Sequence, residues 1–209
     1  MKRTRPPARG PRRRSRLKPI LLLIAALAAF GVAAISITAF AIIRSLPAPD
    51  LIANRQVAQS TKLYDRTGEV LLYELYGEEQ RTVIPFDKIP PAVKGATIAA
   101  EDANFYRHAA LDWKGIARAF FKNLASGGVI QGGSTITQQL AKKAFLTDDR
   151  TITRKLRELA LATQLERRFT KDEILAAYLN QIPYGGNAYG IEAAAQAVFA
   201  KPAAELSLA

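Results

Sequence analysis

The chain has 209 residues, 30 Lys and Arg against 18 Asp and Glu for a formal charge of +12, one histidine and no cysteine. A disulfide framework, a thiolate metal site and the usual histidine zinc sites are thereby excluded. Nucleic acid is not an expected partner either, because nine basic residues crowd the first 18 positions while residues 45–209 hold 20 basic against 18 acidic groups, and a duplex binder needs its basic surface on the folded domain.

The first predicted element is a membrane-spanning helix. Residues 20–43 carry no charge over 24 positions, which is about 36 Å of helix, enough for a hydrocarbon core of roughly 30 Å. The basic residues Lys2, Arg3, Arg5, Arg9, Arg12, Arg13, Arg14, Arg16 and Lys18 precede it and only Arg44 follows closely. The positive-inside rule then keeps the N-terminus cytoplasmic, with the tail able to touch anionic lipid. A cleaved leader with Ala39-Phe40-Ala41 as its site is disfavoured, because the apolar run exceeds the roughly 7 to 15 residues of a signal core. The expected organisation is a basic tail at 1–19, a span at 20–43, a linker at 44–60 marked by Pro47 and Pro49, and one domain at 61–209.

Within that domain, residues 61–76 alternate around Arg66-Thr67-Gly68-Glu69 and predict a β-hairpin. Helical periodicity follows at 92–103 behind Pro91, at 113–126 before Gly127-Gly128, at 134–145 and at 151–169. Thr170 with Glu173 forms a capping box that opens another helix, and a last one is expected at 189–200, stopped by Pro202. The fold class is mainly α.

Three stretches carry candidate chemistry: EDANFYRH at 101–108, QGGSTITQQLAKK at 131–143, and RKLRELALATQLERRFTKDEILAAYLNQIPYGG at 154–186. Glu101 and Asp102 end a helix, where a carboxylate faces the negative end of the dipole and is poorly placed for stability. Ser134, Thr135 and Thr137 open a helix behind a glycine pair, an arrangement suited to an anion such as a diphosphate. Lys142, Arg154 and Lys155 can neutralise charge developing on a departing phosphate. Glu158, between these cations, reads by itself as an ion-paired helix face, and Glu166 beside Arg167 and Arg168 reads as solvated. His108 and Ser134 make no catalytic pair, since no nucleophile elbow surrounds the serine, and a structural histidine is expected. The S-x-x-K match at Ser15–Lys18 sits in the tail without companion motifs and predicts no penicillin-reactive serine.

In order and spacing these blocks resemble the peptidoglycan glycosyltransferase domain, glycosyltransferase family 51, of class A penicillin-binding proteins and monofunctional cell-wall polymerases. The resemblance runs from about Ser60 to Ala209. It implies a lysozyme-like fold, incomplete at its C-terminus here, that polymerises lipid II into glycan with inversion and release of undecaprenyl diphosphate. Glu101 matches the general base acting on the acceptor hydroxyl. Glu158 matches the second acidic residue, which handles the leaving group and is the candidate ligand for a divalent cation, Mg or Mn, with no obligatory cofactor. Asp102, Phe105, His108, Ser134, Thr135, Gln138, Gln139, Lys142, Arg154, Lys155 and Asn180 match substrate-binding or site-shaping positions, and Tyr178, Tyr184, Gly185 and Gly186 belong to the donor-side block. Gly190 and Ala193–Ala195 resemble a block of small residues that lets helices approach closely. Two residues depart from the family pattern: Ala110 stands for a glycine and Lys143 for an asparagine. The implied partners are lipid II, the growing glycan, membrane lipid and other cell-wall synthesis proteins, in a bacterial cytoplasmic membrane with the domain outside. The alternatives are a lytic, lysozyme-like enzyme, which needs no diphosphate site, and a non-catalytic truncated scaffold.

Overall fold

The computed structural model describes residues 17–47, 58–126, 133–147, 149 and 151–207. The tail through Arg16, residues 48–57 and residues 127–132 lie outside the described residues. The chain divides between Arg44 and Ser45 into two compact units. The first contains helix α1, Leu17–Arg44, which by length and composition is long and apolar enough to cross a membrane.

The second unit is mostly helical. It opens with strands β1 (Thr61–Tyr64) and β2 (Leu71–Leu75), an antiparallel hairpin with a register shift at Leu63/Tyr64. The turn closes on Asp65, whose carboxylate accepts from Thr67 Oγ1 and from the amides of Glu69 and Val70, and Gly68 supplies the positive φ of 78°. These bonds, the one from Thr67 foremost, lower the Asp65 carboxyl below its usual range. Leu63, Tyr64, Leu71, Leu72, Tyr73 and Leu75 all remain exposed.

Strand β3 (Gln80–Arg81) leads through a 3-10 turn at Phe86–Lys88 to α2 (Pro91–Glu101), with proline in the first turn as expected. A second turn at Phe105–Arg107 precedes α3, Trp113–Ser126. Then come α4 (Ile136–Phe145), α5 (Ile152–Arg168) and α6 (Lys171–Gln181). Thr135 and Thr151 cap α4 and α5 by accepting the amides of Gln138 and Arg154, and the Thr170–Glu173 box caps α6 from both sides.

The final helix, α7, is Ile191–Phe199, shorter than the expected 189–200. Its first expected residue belongs instead to β5 (Ala188–Tyr189), which pairs antiparallel with β4 (Pro183–Gly185) and parallel with β3. Gly190 turns the chain from β5 into α7 with φ of 80°, and a Cβ there would lie 2.7 Å from the Asn180 carbonyl oxygen.

Helix α4 is the hub. Ile136 and Leu140 join Phe105, Ile174, Leu175, Tyr178, Leu179 and Ile191 in the larger core, while Ala141 on the adjoining face meets Leu161, Ala162 and Leu165 of α5. Each fully buried leucine contributes about 2 kcal/mol. Serving both cores leaves α4 little solvated surface, so even Thr137 and Gln138 are buried.

Candidate active site

Glu101 is the last residue of α2 and is exposed, and Asp102 caps the helix with its amide on the Ile98 carbonyl. The two neighbouring carboxylates have separate surroundings. Asp102 is buried: Oδ1 lies 2.7 Å from Nε2 of His108, and Oδ2 accepts the Ile136 amide at the start of α4. An acidic group facing the first turn of a helix is stabilised by its free amides. His108 Nδ1 faces the Ala109 carbonyl at 2.5 Å, so each ring nitrogen has an acceptor. This dyad ties the exit of α2 to the entry of α4.

Glu101 instead points outward, and its Oε2 accepts from Gln139 Nε2 at 2.8 Å. Gln139 Oε1 in turn accepts from the Tyr178 hydroxyl at 3.1 Å. Burial first, and then the Glu101 charge, raise both the Tyr178 and Tyr184 phenols above their usual value. Tyr184 as a whole residue keeps 38 % exposure.

Ala110, at the position expected to be glycine, lies outside the left-handed region, which among described non-glycine residues only Ala200 adopts. Alanine therefore fits without strain. Its carbonyl accepts from Thr135 Oγ1 at 3.0 Å and Gln138 Nε2 at 2.9 Å, which uses those two side chains to hold the loop on α4.

Beside Glu101, residues Ser134, Gln139, Lys142, Lys143, Arg154, Lys155 and Glu158 line a cavity of about 230 Å³. Four of the lining side chains are cationic and one is a carboxylate. Glu158 retains 3 % exposure and accepts Arg154 Nη1 at 2.5 Å on Oε2 and Lys155 Nζ on Oε1. Lys155 also donates to Ser134 Oγ and Gln138 Oε1. Glu158 is thus a buried clamp on two cations, which leaves the cavity net positive. A second cavity of about 110 Å³, with Glu101, Asp102, Asn104, Asp112 and Arg118 in its wall, shares Ser134 with the first.

Several of the expected site residues are buried. Phe105 has no exposed surface; it belongs to the core, 5.3 Å from the Tyr106 ring and beneath Lys171 Nζ. Thr135, Gln138 and Asn180 are buried as well, with Asn180 bonded to both backbone groups of Ile84. Glu166, read as solvated, is corrected: it accepts from Thr137 Oγ1 at 2.5 Å and Lys171 Nζ at 2.6 Å, because the crossing of α5 with α4 and α6 covers that face. Nor does the donor set at Glu158 suit a divalent ion, since both carboxylate oxygens already serve side-chain cations. Among the described residues no three His, Cys, Asp or Glu side chains converge.

A family model described as transglycosylase matches residues 68–209. Penicillin-binding protein 1A of Aquifex aeolicus is 47% identical over 167 residues, 80% of this chain and 23% of the relative. Penicillin-binding protein 1A of Pseudomonas aeruginosa is 46% identical over 165 residues, 79% of this chain and 20% of the relative. Penicillin-binding protein 4 of Bacillus subtilis is 41% identical over 152 residues, 73% of this chain and 24% of the relative. The chain spans between a fifth and a quarter of the length of these curated relatives.

Proposed function

Since the chain belongs to the transglycosylase family, we propose that it is a peptidoglycan glycosyltransferase that extends glycan strands from lipid II with inversion at the donor's anomeric carbon. The observation that carries this reading is a solvent-facing carboxylate, Glu101, hydrogen-bonded through Gln139 to the wall of a cavity lined by four cations. Hydrolysis of finished glycan, the lytic alternative, has no use for such a charge.

In this reading Glu101 takes the proton of the acceptor 4-hydroxyl, whose oxygen forms the new bond to the anomeric carbon as the bond to the diphosphate breaks. Lys142, Lys143 and Arg154 neutralise the departing diphosphate, and Lys155, held by Ser134 and Gln138, completes the cationic wall. Asp102, His108, Thr135 and Gln138 keep the loop between α2 and α4 in place, and Asn180 holds Ile84. The apolar α1 would anchor the enzyme in the bacterial cytoplasmic membrane by a single pass, its basic N-terminus cytoplasmic and its site outside, near membrane lipid and other cell-wall synthesis proteins.

Glu101→Gln tests the reading. It keeps size and one acceptor while removing the base, so glycan formation from labelled lipid II should fall by about 10² to 10⁴ in kcat with KM little changed. Near-normal polymerisation by this variant would refute the assignment.

A further inference from the structure

Glu101 uses one oxygen, Oε2, for Gln139, and Oε1 accepts no hydrogen bond among the described residues. Which oxygen takes a proton therefore depends on how Gln139 stands. A primary carboxamide has a donor end and an acceptor end, and half a turn about its last bond exchanges them. An acceptor end turned toward a carboxylate repels it and lets the carboxylate swing.

Tyr178 opposes that turn. Its hydroxyl donates to Gln139 Oε1 at 3.1 Å, from a ring that is 2 % exposed and packed with Ile174, Leu175 and Leu179. The donor is thus fixed in the core while the group it orients reaches the surface. Desolvation, and secondarily the charge of Glu101, keep the phenol protonated, so it remains a donor throughout the pH range of the reaction.

We propose that Tyr178 is a positioning residue for glycosyl transfer: through its hydrogen bond to Gln139 it holds the amide NH₂ on Oε2 of Glu101 and leaves Oε1 as the proton acceptor. This rests on the base role given to Glu101 above. The role is separable from packing because Tyr178→Phe removes one oxygen and keeps the ring.

The test compares wild type, Tyr178→Phe, Gln139→Ala and the double variant, each as the full chain in detergent micelles with lipid II. Loss of one hydrogen bond corresponds to a decrease of about 2- to 10-fold. Tyr178→Phe should show that decrease in kcat with KM and thermal midpoint unchanged, and it should add nothing in the Gln139→Ala background. An unchanged kcat, or an equal further loss in the double variant, overturns the proposal. The side-chain amide resonance of Gln139, assigned by its disappearance in Gln139→Ala, supplies a reading independent of turnover. It should shift and broaden in Tyr178→Phe, and an unmoved signal overturns the proposal. A wild type that forms no glycan would sink the functional reading instead, and the amide signal would still decide whether Tyr178 orients Gln139.

Discussion

Replacing Glu158 with glutamine removes one negative charge from beneath the cationic cavity and keeps the side chain's shape. The carboxylate is 3 % exposed, whereas the side chains of its partners Arg154 and Lys155 are 16 % and 41 % exposed. A hydrogen bond to a charged group contributes about 1.5–3 kcal/mol, so two bonds set the ceiling. Lys155 can turn to water, and its share falls toward the near-zero value of a surface pair. The Arg154 bond then dominates, and a loss of about 1.5–3 kcal/mol is expected, lowering the melting midpoint of a unit this size by about 3–12 °C. Relieved of the clamp, the two cations also repel each other and leave their places along the cavity. Thermal melting at low and high salt, run beside lipid II turnover with and without added magnesium, measures both effects. An unchanged midpoint with unchanged turnover would refute the clamp. So would a magnesium requirement of the wild type that Glu158→Gln abolishes, because that would make the residue a metal ligand.

Two further outcomes are expected. Gly190→Ala places a Cβ 2.7 Å from the Asn180 carbonyl at a φ of 80°, so it should cost at least about 2 kcal/mol in denaturant unfolding; a wild-type midpoint would contradict the tight turn. The Tyr106 phenol is raised to about 12 by burial and then by its hydrogen bond to Asp172. The unfolded chain loses that proton near the ordinary value of about 10, so the contribution of Tyr106 to stability is intact below pH 10 and lost as pH rises toward 12. Phenolate absorbance of wild type against Tyr106→Phe should show that late-titrating group, and its ionisation at the ordinary pH would disprove the contact.

The helices were legible because each carries its own punctuation. Thr151 and Thr170 stand one residue before α5 and α6, and Pro91 opens α2. The small sheet was not legible: β3 and β5 are two residues each, too short for alternation, and their partner lies far along the chain. The same limit applies to the site. Lys155 and Glu158 are helix neighbours three apart, so their pairing is local. The bonds of Gln139 to Glu101 and Tyr178 span 38 and 39 residues, and no local pattern announces them. Burial also inverted one reading: Glu166 looks like a solvated charge on a helix wheel, yet the crossing of α5 with its neighbours covers it.

The distance along the chain between β3 and β5 also bears on how the molecule is made. Ile84 meets its side-chain partner Asn180 across 96 residues, and Gln80 pairs with Ala188 farther still. During synthesis from the N-terminus, this entire N-terminal stretch exists before anything that will hold it. Closing so long a loop brings an entropic cost that only the finished α6 and its following strands offset. The neighbouring hairpin carries exposed leucines and tyrosines on a two-stranded ribbon both before and after that closure, the kind of surface that invites pairing with another chain. Strand β3 therefore has no strand partner until residues 188–189 have been made.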